Sequence, residues 1–217
     1  MKHQLFRPFD VTCEETDSGR FYISPRTGQR YPSVTTFLSA VSDNSGIEAW
    51  KARVGEEVAN KKSRQAINRG SQLHEALEIY LLEGKRKKLF PNILSLFFQC
   101  KERLDRNLSE INGIELPLFS DQLKLAGRAD CIGVWNGESS IIDFKTSTTY
   151  KREEYLENYF LQGTAYALMC NELYETNIRN IVLLIAIENA SFAQIVEGSV
   201  DDYKNLLLEK RKQYSNK

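Results

Sequence analysis

The sequence predicts an α/β domain on three observations: helical periodicity dominates the first half, strand-like runs joined by a tight turn follow, and a helix, two strands and a final helix close the chain. From 45 to about 82 apolar residues recur at helical spacing, in two pieces with a break near Lys62, and a further helix spans roughly 93 to 108. Ahead of them, GRFYISPRTGQRYPSVTTF alternates aromatic and polar residues around SPRTG, as a small hairpin does, and Ser33 after Pro32 suits the cap of a short helix. Strand-like runs near 114–119, 124–135 and 139–145 form a meander. A helix from about 153 to 173 leads to strands at NIVLLIAI and SFAQIVEG and to a terminal helix after Ser199. With no internal repeat or low-complexity linker, residues 1–217 read as one domain, with 1–62 as a hairpin and helical arm and 63–217 as the core.

Composition narrows the chemistry. The 217 residues are 41% hydrophobic and 27% charged, enough for a full core. Lys plus Arg and Asp plus Glu are 29 each, so any attraction to nucleic acid must come from local clustering of charge. No apolar run approaches the roughly 20 residues of a membrane helix, and MKHQLFRPFD lacks the apolar stretch of a secretion signal, so a soluble cytoplasmic protein without a membrane partner is expected. Cys13, Cys100, Cys131 and Cys170 lie far apart, which suggests neither a zinc knuckle nor an iron–sulfur loop, and reduced, mostly buried thiols are expected. With only His3 and His74 as imidazoles, a metal site would need carboxylates.

The segment GRADCIGVWNGESSIIDFKT (127–146) places three charges where a buried strand should stay apolar. Asn136-Gly137 favours a two-residue type I′ turn, because both central residues need positive φ. If Trp135 then pairs with Glu138, the register carried back sets Asp130 opposite Asp143 and Arg128 opposite Lys145, all four on one face. Two carboxylates at the roughly 4.5–5.5 Å of a direct cross-strand pair repel each other. Either a cation sits between them, for which hard oxygen ligands suit Mg²⁺ or Mn²⁺, or the four form a surface salt-bridge quartet.

These residues also carry a resemblance. G-R-A-D (127–130) and D-F-K (143–145) look like the PD-(D/E)xK nuclease motif, with Ala129 in place of its proline. Upstream, R-G-S-Q-L-H-E-A-L-E resembles the G-x-x-x-H-x-x-x-E element of RecB-like nucleases, and downstream Q-G-T-A-Y resembles their Q-x-x-x-Y element. RYPSVTTFLSAV and the region of Trp50, Arg53 and Gly55 resemble phage-encoded exonucleases related to the mitochondrial genome maintenance exonuclease. The resemblance implies a restriction-endonuclease-like core: a central mixed β-sheet with an antiparallel meander, flanked by helices, plus the arm. It implies Asp130, Asp143 and Lys145 as catalytic residues and His74 with the two aspartates as metal ligands. Glu78, Glu115, Arg128, Gln162 and Tyr166 are then supporting or DNA-contacting residues. Taken singly, His74 also suits a packed, hydrogen-bonded side chain, Tyr166 a core position and Glu115 an ordinary strand-edge acid.

The implied activity is metal-dependent hydrolysis of DNA phosphodiesters from free ends of single-stranded DNA, or of duplex, with Mg²⁺ or Mn²⁺ and without an iron–sulfur cluster. An endonuclease on the same core and a catalytically dead DNA-binding module are the alternatives. The expected partner is DNA, with no obligate protein partner; for a phage-encoded chain the compartment is the host cytoplasm. Two basic runs, Lys61-Lys62-Ser63-Arg64 and Lys85-Arg86-Lys87-Lys88, flank the His74 helix and offer either phosphate contacts or solvated helix ends. Phe21, Tyr22, Tyr31 and Trp50 are available to stack on unpaired bases.

Overall fold

Alternation along one strand shows how the layers are sorted. In β8 (Asn180–Ile187), Ile181, Leu183, Ile185 and Ile187 face one core, while Val182, Leu184 and Ala186 face a second. A strand apolar on both faces must lie between two helical layers. The first is built by α1 (Val34–Val41), α5 (Glu157–Tyr174) and α6 (Val200–Ser215); the second by α3 (Glu56–Glu83) and α4 (Pro91–Asn107). The structure is a computed structural model and describes residues 1–215.

Between the layers lies a six-stranded mixed sheet in the order β1-β5-β6-β7-β8-β9. Its remaining strands are β1 (Lys2–His3), β5 (Leu108–Ser120), β6 (Leu125–Trp135), β7 (Glu138–Ser147) and β9 (Gln194–Ser199). β1 joins β5 and β7 joins β8 in parallel, and the other neighbours are antiparallel. This is the expected meander inside a mixed α/β sheet. No helix of the described residues is long and apolar enough to cross a membrane.

The arm contains β2 (Thr12–Thr16), β3 (Gly19–Ile23) and β4 (Arg30–Pro32), a separate antiparallel sheet whose β3–β4 unit is the expected hairpin around SPRTG. Ser24, Thr27 and Tyr31 all bring hydroxyls to the Asp121 carboxylate and so dock the hairpin on the β5–β6 connection. Ser33 caps α1 as its position suggests, accepting from the Thr36 N–H. The helical break expected near Lys62 falls instead at Gly55, between α2 (Ser45–Val54) and α3. Gly55 takes φ +86°, a conformation that favours glycine, whereas Lys61 and Lys62 are good helix formers inside α3.

The β6–β7 hairpin closes through Asn136 at φ +50° and Gly137 at φ +89°, with Trp135 opposite Glu138. We expect Gly137→Ala to cost about 1–2 kcal/mol, the penalty of the left-handed region for an L side chain, read in urea unfolding as a lower midpoint with an unchanged slope.

Candidate active site

The expected hairpin register holds from Trp135↔Glu138 to Cys131↔Ile142 and then stops. β6 stays paired with β5 to Ser120↔Leu125, and β7 stays paired with β8 to Ser147↔Ile187, so the sheet forks between β6 and β7. Had the ladder continued, Ala129 and Phe144 would have exchanged backbone hydrogen bonds. Both polar groups of Phe144 find other partners. Its N–H donates to Asp130 Oδ2 at 2.8 Å, and its carbonyl lies 2.7 Å from His74 Nε2. Asp130 opposite Asp143 and Arg128 opposite Lys145 are therefore not ladder pairs, because the Asp130 carboxylate occupies the place that the backbone of β6 would have filled.

A carbonyl oxygen can only accept, so Nε2 carries the proton in the neutral His74 ring and the Nδ1 lone pair points the other way. Nδ1 lies 3.5 Å from Asp130 Oδ1 and 4.0 Å from Glu115 Oε1. One ligand atom from each of His74, Glu115 and Asp130 falls within 4.8 Å of the others, a spacing a single cation could bridge. Glu115, expected as a supporting acid, thus lies within the group. It sits between the pairs Ile114↔Cys131 and Leu116↔Ala129, at φ +45°, the left-handed conformation a non-glycine residue rarely takes.

Asp143 lies outside that trio. Its carboxylate is fully buried and ion-paired with the Lys145 ammonium two residues along β7, yet neither oxygen accepts a directed hydrogen bond. Burial pushes its carboxyl up to about 6 against the opposing charge of Lys145. Burial alone would lower the Lys145 pKa; Asp143 and Asp130 reverse this and raise it, so the lysine stays a cation. Its Nζ also stands 5.2 Å from the centre of the Tyr159 ring, a contact on α5 that the sequence did not flag. Burial, with the charge of Asp130 second, pushes Glu115 up to about 7.

The remaining residues line the surroundings. Arg128 is half exposed and reaches Glu115 at 3.8 Å rather than pairing across to Lys145. Glu78, one turn beyond His74 on α3, acts on Glu115 only through charge. Tyr166 is buried against β6, where a Cβ on Gly127 would lie 2.8 Å from the Tyr166 ring and 3.1 Å from its hydroxyl; Gln162 donates to that hydroxyl at 3.4 Å. Glycine in G-R-A-D therefore makes room for the tyrosine of Q-x-x-x-Y. Three of the four cysteines are buried, as expected, and Cys13 is exposed.

The sequence profile of the PD-(D/E)XK nuclease superfamily matches residues 56–210, well over half of the chain and all of the elements just described. The chain belongs to the PD-(D/E)XK nuclease superfamily. Over 174 residues it is 25% identical to human mitochondrial genome maintenance exonuclease 1, an alignment that takes in 74% of this chain and 50% of that protein. The chain thus spans about half the length of that relative. A crystal structure of a presumed exonuclease from Eubacterium rectale superposes with a TM-score of 0.42 at 11% identity, covering 67% of this chain and 68% of the other, a likeness too slight to bear on function. PD-(D/E)XK nucleases use divalent metals, and the residues here fit one: two acids and an imidazole lone pair converge, and a buried carboxylate beside them lacks hydrogen bonds.

Metal binding is expected to raise the melting temperature of the metal-free protein. The folded pKa values of Glu115 and Asp143 lie above their ordinary 4.5 and 3.8, so in the metal-free chain these two acids subtract stability as pH rises from about 4 to about 7. Protons compete with the cation across the same window, so the thermal shift produced by Mg²⁺ or Mn²⁺ should be small at pH 5 and larger at pH 7.5. A shift independent of pH would contradict this account of the site.

Proposed function

We propose that this nuclease is a DNA exonuclease, dependent on Mg²⁺ or Mn²⁺, that releases nucleotides from free ends of single-stranded DNA. The observation that carries the reading is the His74 ring: its Nε2–H is spent on the Phe144 carbonyl, which leaves Nδ1 beside Asp130 and Glu115 as a ligand atom in an otherwise acidic, partly desolvated site. In this reading His74, Asp130 and Asp143, joined by Glu115, hold the ion. A divalent cation in such a site lowers the pKa of water and neutralises charge that develops on the phosphate oxygens.

The chain's own groups do the positioning. Lys145, a cation set by Asp143 and by the face of Tyr159, presents a compact positive charge to the attacked phosphate or orients the attacking water. Tyr166, on α5, packs against Gly127 of the strand that bears Asp130, and Gln162 donates to its hydroxyl. The order of the four motif elements supports a RecB-like placement within the superfamily, and the human relative, named as an exonuclease, supports action from ends. Host DNA turnover or recombination in a phage setting follows by analogy.

Purified Asp143→Asn and Lys145→Ala should each lose at least 100-fold of the metal-dependent nucleotide release from a linear single strand while keeping the wild-type circular dichroism spectrum. The same strand circularised should survive the wild type. Cutting of the circle would establish an endonuclease instead. Full activity in either variant would remove that residue from the reaction.

A further inference from the structure

At the end of β7 the structure has a cleft of about 800 Å³. One wall is α3, from Lys62 to Gln72; the other is the end of β7 with the segment after it, Thr146 to Lys151. The cleft and the reactive groups share two elements, α3 and the end of β7: Gln72 precedes His74 by two residues, and Thr146 follows Lys145 with its side chain on the other face of the strand. It runs about 15–18 Å along α3 at 1.5 Å per residue.

Its chemistry is specific. Lys62, Arg69 and Lys151 line it against a single acid, Glu188, which Arg69 already engages at 2.8 Å. Neither Lys62 nor Lys151 makes an ion pair among the described residues, so two cations stay unneutralised in a chain with no net charge. Lys151 is held in place, because the Gln194 amide accepts from its N–H at 2.9 Å and donates to its carbonyl at 2.8 Å. The walls between are amides and hydroxyls, which can both donate and accept.

One aromatic ring completes it. Of the four arm aromatics open to stacking on sequence grounds, Tyr22 and Tyr31 are buried and Phe21 lies under the Arg30 guanidinium at 3.6 Å. Trp50, on α2, lines the cleft and is part exposed. The two basic runs divide in the same way: Lys62 and Ser63 line the cleft, whereas Lys85 and Lys87 pair with Glu83 and Glu75, and Arg86 lies over Phe98.

We infer that this cleft is the subsite for the unpaired strand next to the scissile phosphate, with a base stacked on Trp50 and backbone phosphates on Lys62 and Lys151. The inference rests on the nuclease reading above and adds to it where the strand lies and why it must be single. A volume of this size suits a ligand of one or two nucleotides, not a duplex. An indole stacks on a base face, which pairing partners and neighbours cover within a duplex. Adaptable amides and hydroxyls hold a strand without choosing its sequence.

The test is binding in EDTA, where no hydrolysis occurs, followed by intrinsic fluorescence; Trp135 is buried, so Trp50 is the tryptophan a ligand can reach. An eight-residue oligothymidylate should quench it saturably, and Trp50→Phe should lose the quench. By anisotropy of a labelled oligonucleotide, Trp50→Ala should bind about tenfold more weakly. Lys62→Ala should reduce the salt slope of log affinity by about 0.7. A duplex with both ends closed by hairpins should not quench. Trp50→Ala and Lys62→Ala both binding like wild type, or equal quenching by the closed duplex, would overturn the subsite. Digestion assayed on the same wild-type protein separates the two readings. Metal-dependent digestion with unaltered binding in both variants rejects the cleft and keeps the nuclease. Quenching lost in Trp50→Phe without digestion under Mg²⁺ or Mn²⁺ keeps the cleft and rejects the nuclease.

Discussion

One hydrogen bond sets the geometry on which the site depends: the Phe144 N–H donates to a carboxylate oxygen of Asp130 where a backbone carbonyl of β6 would otherwise accept. That substitution ends the β6–β7 ladder without leaving a buried donor unpaired, which would cost roughly 1–3 kcal/mol. It also frees the Phe144 carbonyl, and that carbonyl selects the tautomer of His74. The fork and the ligand set therefore have one cause. Each strand beside the opening keeps a partner, β6 on β5 and β7 on β8, so the sheet can part locally without losing its order.

The electrostatics follow from this geometry. Asp130, Asp143 and Glu115 come together where water is largely excluded, and burial raises the pKa of both Asp143 and Glu115. Lys145 offsets Asp143, while Glu115 lies between the His74 ring and the Arg128 guanidinium and Asp130 lies against His74. Such crowding is unfavourable in the metal-free chain and would be relieved by a dication, so the features that weaken the fold here are those a bound divalent metal would offset. The left-handed backbone at Glu115 is a further cost, at the point of β5 between the pairs Ile114↔Cys131 and Leu116↔Ala129.

What the sequence made legible was what local rules specify. Asn136-Gly137 admits one tight turn, so the register down to Cys131↔Ile142 could be read, and uninterrupted apolar runs such as NIVLLIAI can only be strands covered on both faces. Carrying that register three residues further set Arg128 against Lys145, which failed because a side chain, not the backbone, took the next hydrogen bond. Glu115 could be named as an acid but not placed, since an inverted φ leaves no periodic signal. The extra length of β5 was hidden by two register shifts in LSEING, and the two-residue β1 and the exposed β2 carry no apolar alternation at all. The break at Gly55 has a signal in the sequence, glycine followed by two glutamates at a helix start.

Under the proposed function, local charge accounts for how a chain of zero net charge would hold a polyanion. Three acids, Glu115, Asp130 and Asp143, gather at the site, where a dication would offset them, while Lys62 and Lys151 line the cleft without ion pairs among the described residues. A strand passing from Trp50 to the fork would meet positive charge along its path and reach the acids only where a metal stands between them and its phosphate. The arrangement needs no excess of basic residues, only their separation from the acids by about the length of three turns of α3. The second lysine run, Lys85 to Lys88, lies beyond the other end of α3 and pairs locally, Lys87 with Glu75 and Lys85 with Glu83.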